Sequence, residues 1–213
     1  PPQHLISGKT YQGQADQIMA WVEQNAGRAD VMVLSTDTLI YGGLVDSRKH
    51  NIPLSTLQNR LKRIEGLKAR NKNVRIYGFG TVMRSPRASG GGTEPAYYAE
   101  YGPTIFQIAA LQDKLDSGSL TQEETQKMMS LQASVPVEYL QDWFDRRQKN
   151  MKINKELIDE TRSGVFDYFA LGHDDTSQLS QSALEGRYLN KYSKDISVEK
   201  YGLIIAMYSP LLK

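Results

Sequence analysis

The chain contains no cysteine in 213 residues, which excludes a disulfide framework, a thiolate metal site and a cysteine nucleophile together. It also has no apolar run near the ~18–20 residues that span a bilayer, and its first residues lack the basic-then-apolar order of a signal peptide. A soluble protein with no membrane partner is expected, and a cytoplasmic location is taken as the default. Charge of one sign is missing too. Lys and Arg number 26 against 24 Asp and Glu, a formal charge of +2 spread in mixed sign, so no basic surface awaits a polyanion and nucleic acid is not an expected partner. There is no Gly-x-Ser-x-Gly elbow and no His-Glu-x-x-His helix. The Ser89-Gly-Gly-Gly-Thr93 run lacks the Walker lysine spacing and a helix directly after it, so it is no phosphate loop. The chain opens on Pro1-Pro2-Gln3-His4 without an initiator Met, and it reads as a piece of a longer protein.

What is present alternates. Its length suits one core, and residues 1–213 are read as a single α/β domain. Ile18, Met19, Trp21 and Val22 recur at helical spacing between Gln12 and Gly27. Asp30-Val-Met-Val-Leu-Ser-Thr36 is a continuous apolar run, which predicts a strand covered on both faces. Leu57, Leu61, Ile64 and Leu67 mark a helix from Leu54 to Arg70 whose basic residues form a solvated face. Val74 to Thr81 is a second strand with small residues at close-packed points. Ala88 to Pro95 is predicted to be a flexible loop. Helices follow at Pro103 to Leu115, at Thr121 to Ala133 with a Thr121/Glu124 capping box, and from Pro136 to Arg162. Phe166 to Gly172 is the third strand. A helix from Ser177 to Tyr192, N-capped by Asp175 or Thr176, comes next. Tyr201 to Tyr208 fits a strand or a buried helix equally. This order predicts parallel strands joined by helical crossovers, TIM-barrel-like or part of such a barrel, with all strand ends on one rim.

Charged or glycine-rich motifs follow three strands: Asp37 to Arg48, then Met83-Arg84, then His173-Asp174-Asp175. On one rim, Gly42 and Gly43 after Tyr41 would let backbone approach a ligand, and Arg48 and Arg84 would clamp an anionic group. Two acids in different environments can divide acid and base roles, because burial raises one pKa while an arginine lowers the other. Plainer readings stand beside these. Asp37, Asp174 and Asp175 can serve as helix caps, Gly42-Gly43 as a tight turn, and the arginines as struts. Asp37, Asp174, Asp175 and His173 suit a hard or borderline cation, but no fixed ligand spacing supports one, so no metal or cofactor is assigned. His4 and His50 are isolated and read as surface or loop residues.

Ala29 to Arg48 with its Tyr-Gly-Gly-Leu-x-x-Ser-Arg run, Val82-Met83-Arg84, Arg146-Arg147-Gln-Lys-Asn150 and Leu171-Gly172-His-Asp174-Asp175 together resemble the uncharacterised family called domain of unknown function 4127. The resemblance covers nearly the whole chain in order. It implies a longer parent protein, with an extra strand rich in Asp, Arg and Pro before this chain and another acidic strand motif after it. Tyr168 to Asp175 is in addition similar to the strand end bearing two aspartates in O-GlcNAcase-type β-N-acetylhexosaminidases, which are TIM barrels that use substrate assistance. That likeness implies Asp174 as the residue orienting a substrate acetamide and Asp175 as the general acid/base, with no carboxylate nucleophile. The expected function is a glycosidase-like hydrolase acting on a small-molecule substrate, a sugar on this likeness. Its catalytic residues would be Asp174 and Asp175. Asp37, Tyr41, Gly42, Gly43, Arg48, Arg84 and His173 would bind substrate. The rivals are a non-catalytic module binding a sugar or anion and a metal-dependent hydrolase.

Overall fold

The structure is a computed structural model, and it describes residues 1–8, 11–88, 91–175 and 177–205. Four parallel strands, β1 (Val31–Ser35), β2 (Arg75–Val82), β3 (Tyr168–His173) and β4 (Leu203–Ile205), form one sheet in the order β1-β2-β3-β4. Chain order and sheet order coincide. Every crossover therefore steps the same way, and the carboxyl ends of the strands share a rim, as the alternation predicted.

Helices α1 (Ala15–Asn25), α2 (Thr36–Tyr41), α3 (Leu54–Arg70), α6 (Val137–Ser163) and α7 (Gln181–Asp195) line one side of the sheet. Their stripes Ile18/Met19/Val22, Leu57/Leu61/Ile64/Leu67 and Ile153/Leu157/Ile158 pack with Met32, Leu34, Ile76, Phe169, Leu171 and Leu203 into the main core. Gly78 and Gly80 are what let this layer close. A Cβ on Gly78 would lie 2.7 Å from the rings of Phe166 and Phe169, and one on Gly80 would collide with Thr36 Oγ1.

Among the described residues no layer covers the other side of the sheet, which corrects the expectation for β1. Val33 is 68% exposed and Phe79 46%, and Val31, Tyr168 and Ile204 are exposed on the same face. The register puts Val33, Tyr77 and Tyr168 in one row and Ser35, Phe79, Ala170 and Ile204 in the next. A continuous apolar run fits a strand buried on both faces, but here only alternate residues are covered.

Between β2 and β3, helices α4 (Tyr98–Asp116) and α5 (Gln122–Ala133) and the first turns of α6 build a second core around Met83, Tyr98, Ile105, Ile108 and Trp143. The capping box at Thr121 and Glu124 is present. Helix α4 starts well before Pro103, because Tyr98 is fully buried and its hydroxyl donates to Pro86 O at 2.8 Å, anchoring an earlier first turn. Gly164, at φ +86°, stops α6 as expected. The closing apolar stretch resolves into β4 as far as Ile205, and Ala206 to Tyr208 lie outside the described residues. No helix among the described residues is long and apolar enough to cross a membrane.

Candidate active site

Ser35 ends β1 and caps α2, its hydroxyl accepting from the Thr38 amide at 3.3 Å. Because Ser35 takes the capping role, the Asp37 side chain is left for the sheet, where it accepts a hydrogen bond from Thr81 Oγ at 3.0 Å. Asp37 is only 5% exposed. Burial pushes its carboxyl up to about 7; the Thr81 bond and the Arg48 charge oppose that rise, and the neighbouring Asp174 charge adds to it.

Arg48 comes from the 3₁₀ turn Asp46–Arg48, on the far side of Gly42-Gly43. It pairs through Nη2 with Asp174, and its Nη1 lies 3.8 Å from Glu94 Oε1. Arg84, just past β2, holds Glu94 through Nη2 at 2.5 Å and Nε at 2.7 Å. The rim thus carries a chain, Asp174 to Arg48 to Glu94 to Arg84, buried at Arg48 and Glu94 and half-buried at its ends, with Asp37 beside it. Two guanidiniums balance two of the three carboxylates, and the unbalanced acid is the one whose pKa rises.

Asp175 is used differently. Its Oδ2 accepts from the Ser85 amide and the Ser182 hydroxyl, both at 2.6 Å, and its Oδ1 from the Ser177 amide at 3.3 Å. It ties the β2 exit to the approach of α7. The N-cap of α7 is Ser180, accepting from the Ala183 amide, so Asp175 does not cap that helix, and Thr176 lies outside the described residues. His173 is half-buried on β3; burial lowers its pKa against the pull of Asp175, and its Nε2 has no partner among the described residues.

Gly42 and Gly43 do allow a close approach, but by the chain itself. Gly42, at φ +106°, caps α2, and a Cβ there would lie 2.6 Å from Gly13 O, while one on Gly43 would collide with Ser7 Oγ. Tyr41 is buried, its ring tilted against that of His50 at 5.0 Å, and its pKa is raised by burial and by the Asp37 charge. His50 is not a surface residue. It is 5% exposed, with Nδ1 accepting from the Ile52 amide at 3.2 Å and Nε2 2.8 Å from Asn150 Oδ1. Asn150 in turn donates to Ser47 O, which fixes the Arg48 turn.

Two functional supports escaped the residue-by-residue reading. Glu94 lay hidden in a loop taken as flexible, and its only signal was an acid two residues after the glycine run. Arg147, in the α6 motif, donates to Met83 O at 2.6 Å and Arg84 O at 2.9 Å, pairs with Glu185 at 2.7 Å and lies over the Trp143 ring. It fixes the backbone that aims Arg84. Behind the Arg48 turn a cleft of about 780 Å³ opens between Gln12 and Asn51, and Asp37, Asp174 and Asp175 do not line it. No group of three or more His, Asp or Glu suited to a metal ion occurs among the described residues.

A family model described as protein of unknown function (DUF4127) matches residues 1–207. No curated protein and no solved structure matches the chain.

Proposed function

Since the chain belongs to the DUF4127 family, whose description names no activity, we propose a function from the rim itself: a glycosidase-like hydrolase in which Asp37 is the general acid/base. The observation that carries this reading is a buried carboxyl with a pKa of about 7 next to an acid paired with arginine. A general acid works best with a pKa near the working pH. In the proposed reaction Asp37 passes its proton to the leaving glycosidic oxygen as the carbon–oxygen bond breaks. Water then adds to the sugar carbon and returns a proton to Asp37. Asp174, held by Arg48, orients the substrate, the role that the hexosaminidase likeness implies for it. Asp175 anchors the rim rather than taking part in proton transfer, because its oxygens already accept three hydrogen bonds.

A panel of chromogenic glycosides tests this. Wild type is expected to turn over at least one of them, with a basic limb near pH 7, and Asp37→Asn should lower kcat by about 10²–10⁴. Inactivity of the wild type across a broad panel would sink the hydrolase reading. The convergence of Arg48 and Arg84 favours the rival module, for which ligand binding without turnover is the expected result.

A further inference from the structure

Glu94 is buried between two guanidiniums, with 3% of its side chain exposed. Arg48 is buried as deeply, yet its donors are under-used. Its Nε has no acceptor among the described residues, and its Nη1 stands 3.8 Å from Glu94, beyond hydrogen-bonding distance. A guanidinium offers five N–H donors in a fixed fork, and leaving them unmet in a buried place is costly. The segment carrying Glu94 is held to the rim by Arg84 through Glu94 itself. Gly91 and Gly92 sit at φ +58° and +78° with no atom within 4 Å of a would-be Cβ, so they serve backbone conformation and not packing. Exposed Lys49 also donates to Gly92 O at 2.9 Å, and Arg84 to Thr93 Oγ at 2.7 Å.

We propose that Glu94 is a displaceable stand-in for an oxyanion of the substrate. A carboxylate or phosphate on an acidic sugar takes its place on Arg84 and Arg48, and the Gly91 to Glu94 segment moves aside to admit it. The inference rests on reading the rim as the substrate site. Exchanging Glu94 for a carboxylate leaves the charge around Arg48, Arg84 and Asp174 unchanged, and a phosphate group adds up to about one negative charge, whereas a neutral ligand that displaced Glu94 would leave the buried Arg48 without that counter-charge. Arg48, whose donors Glu94 fails to fill, then gains the hydrogen bonds it lacks.

The test is a titration of the full chain with inorganic phosphate and, separately, with glucuronate, followed by the amide resonances of Gly91, Gly92 and Glu94. Saturable shifts are expected in the wild type. Glu94→Gln, which removes the internal competitor, should bind at least tenfold more tightly, and adding Arg84→Met should abolish binding. Tighter binding of glucuronate identifies a carboxylate sugar, and of phosphate a phosphorylated one; either supports the proposal. Equal affinity in wild type and folded Glu94→Gln overturns it. If Glu94→Gln does not fold, the wild-type titration decides, and unmoved resonances overturn the idea. Asp37→Asn separates the two readings: anion binding retained there, with no glycoside turned over by the wild type, removes the hydrolase and leaves the anion site.

Discussion

Asp37 and His50 respond to pH with opposite signs, and that contrast makes both assignments measurable. Asp37 is raised from 3.8 to about 7. Between those values the folded chain keeps a proton that the unfolded chain has released, so stability falls as pH rises and the loss is complete above about 7. His50 is lowered from 6.5 to about 4, chiefly by burial. In that window the unfolded chain takes up a proton that the folded chain refuses, so stability falls as pH drops. Asp37→Asn keeps an acceptor for Thr81 without the buried charge. It is expected to be more stable than wild type at pH 8 by about 1–3 kcal/mol, with the gap closing towards pH 4. Urea unfolding between pH 4 and 8 checks this, and a gap that does not change with pH would contradict the Asp37 assignment. In Asp37→Asn the acid-side loss from His50 should remain, with His173, also lowered by burial, adding to it. At this scale the sequence pointed to Asp37, Asp174, Arg48 and Arg84 at the strand ends but missed Glu94, which joins the two arginines. It could not show which acid is buried, because that depends on Ser35 taking the α2 cap and releasing Asp37 towards Thr81.

Helix α6 illustrates what an element contributes beyond its stripe. Its extent from Pro136 to Arg162 was legible in the sequence. The work of Arg147 was not, because its partners at Met83, Arg84 and Glu185 lie far away in sequence and meet it only after the strands are aligned. Arg147→Met leaves Glu185 buried without its cation and frees two carbonyls, and a loss of about 3–5 kcal/mol is expected by urea unfolding. Arg147→Met combined with Glu185→Leu should recover part of that loss, since both charges then leave the interior. Helix α7 shows the converse. Asp-Thr ahead of a polar helix is an ordinary capping signature, but the helix begins later, at a serine, because Asp175 is already bonded across to Ser85 and Ser182.

For the molecule as a whole, the parallel direction of the strands could be read from the alternation alone. The uncovered sheet face could not, because Val-Met-Val-Leu looks the same whether one face or two is packed. The two faces should respond unequally to substitution. Phe169→Ala, in the core, should cost about 3–5 kcal/mol, while Phe79→Ala, 46% exposed, should cost about 1 kcal/mol or less. Equal losses would mean that Phe79 is covered in solution. The coincidence of chain order and sheet order bears also on how the chain reaches this state. β1 and β2 are separated by little more than α2 and α3 and can pair early, whereas β3 must wait for residues 83–167 to organise their own core. Closing that interval is the least local event in the sheet and should set the folding rate, so the acids and arginines of the rim meet only in the last step.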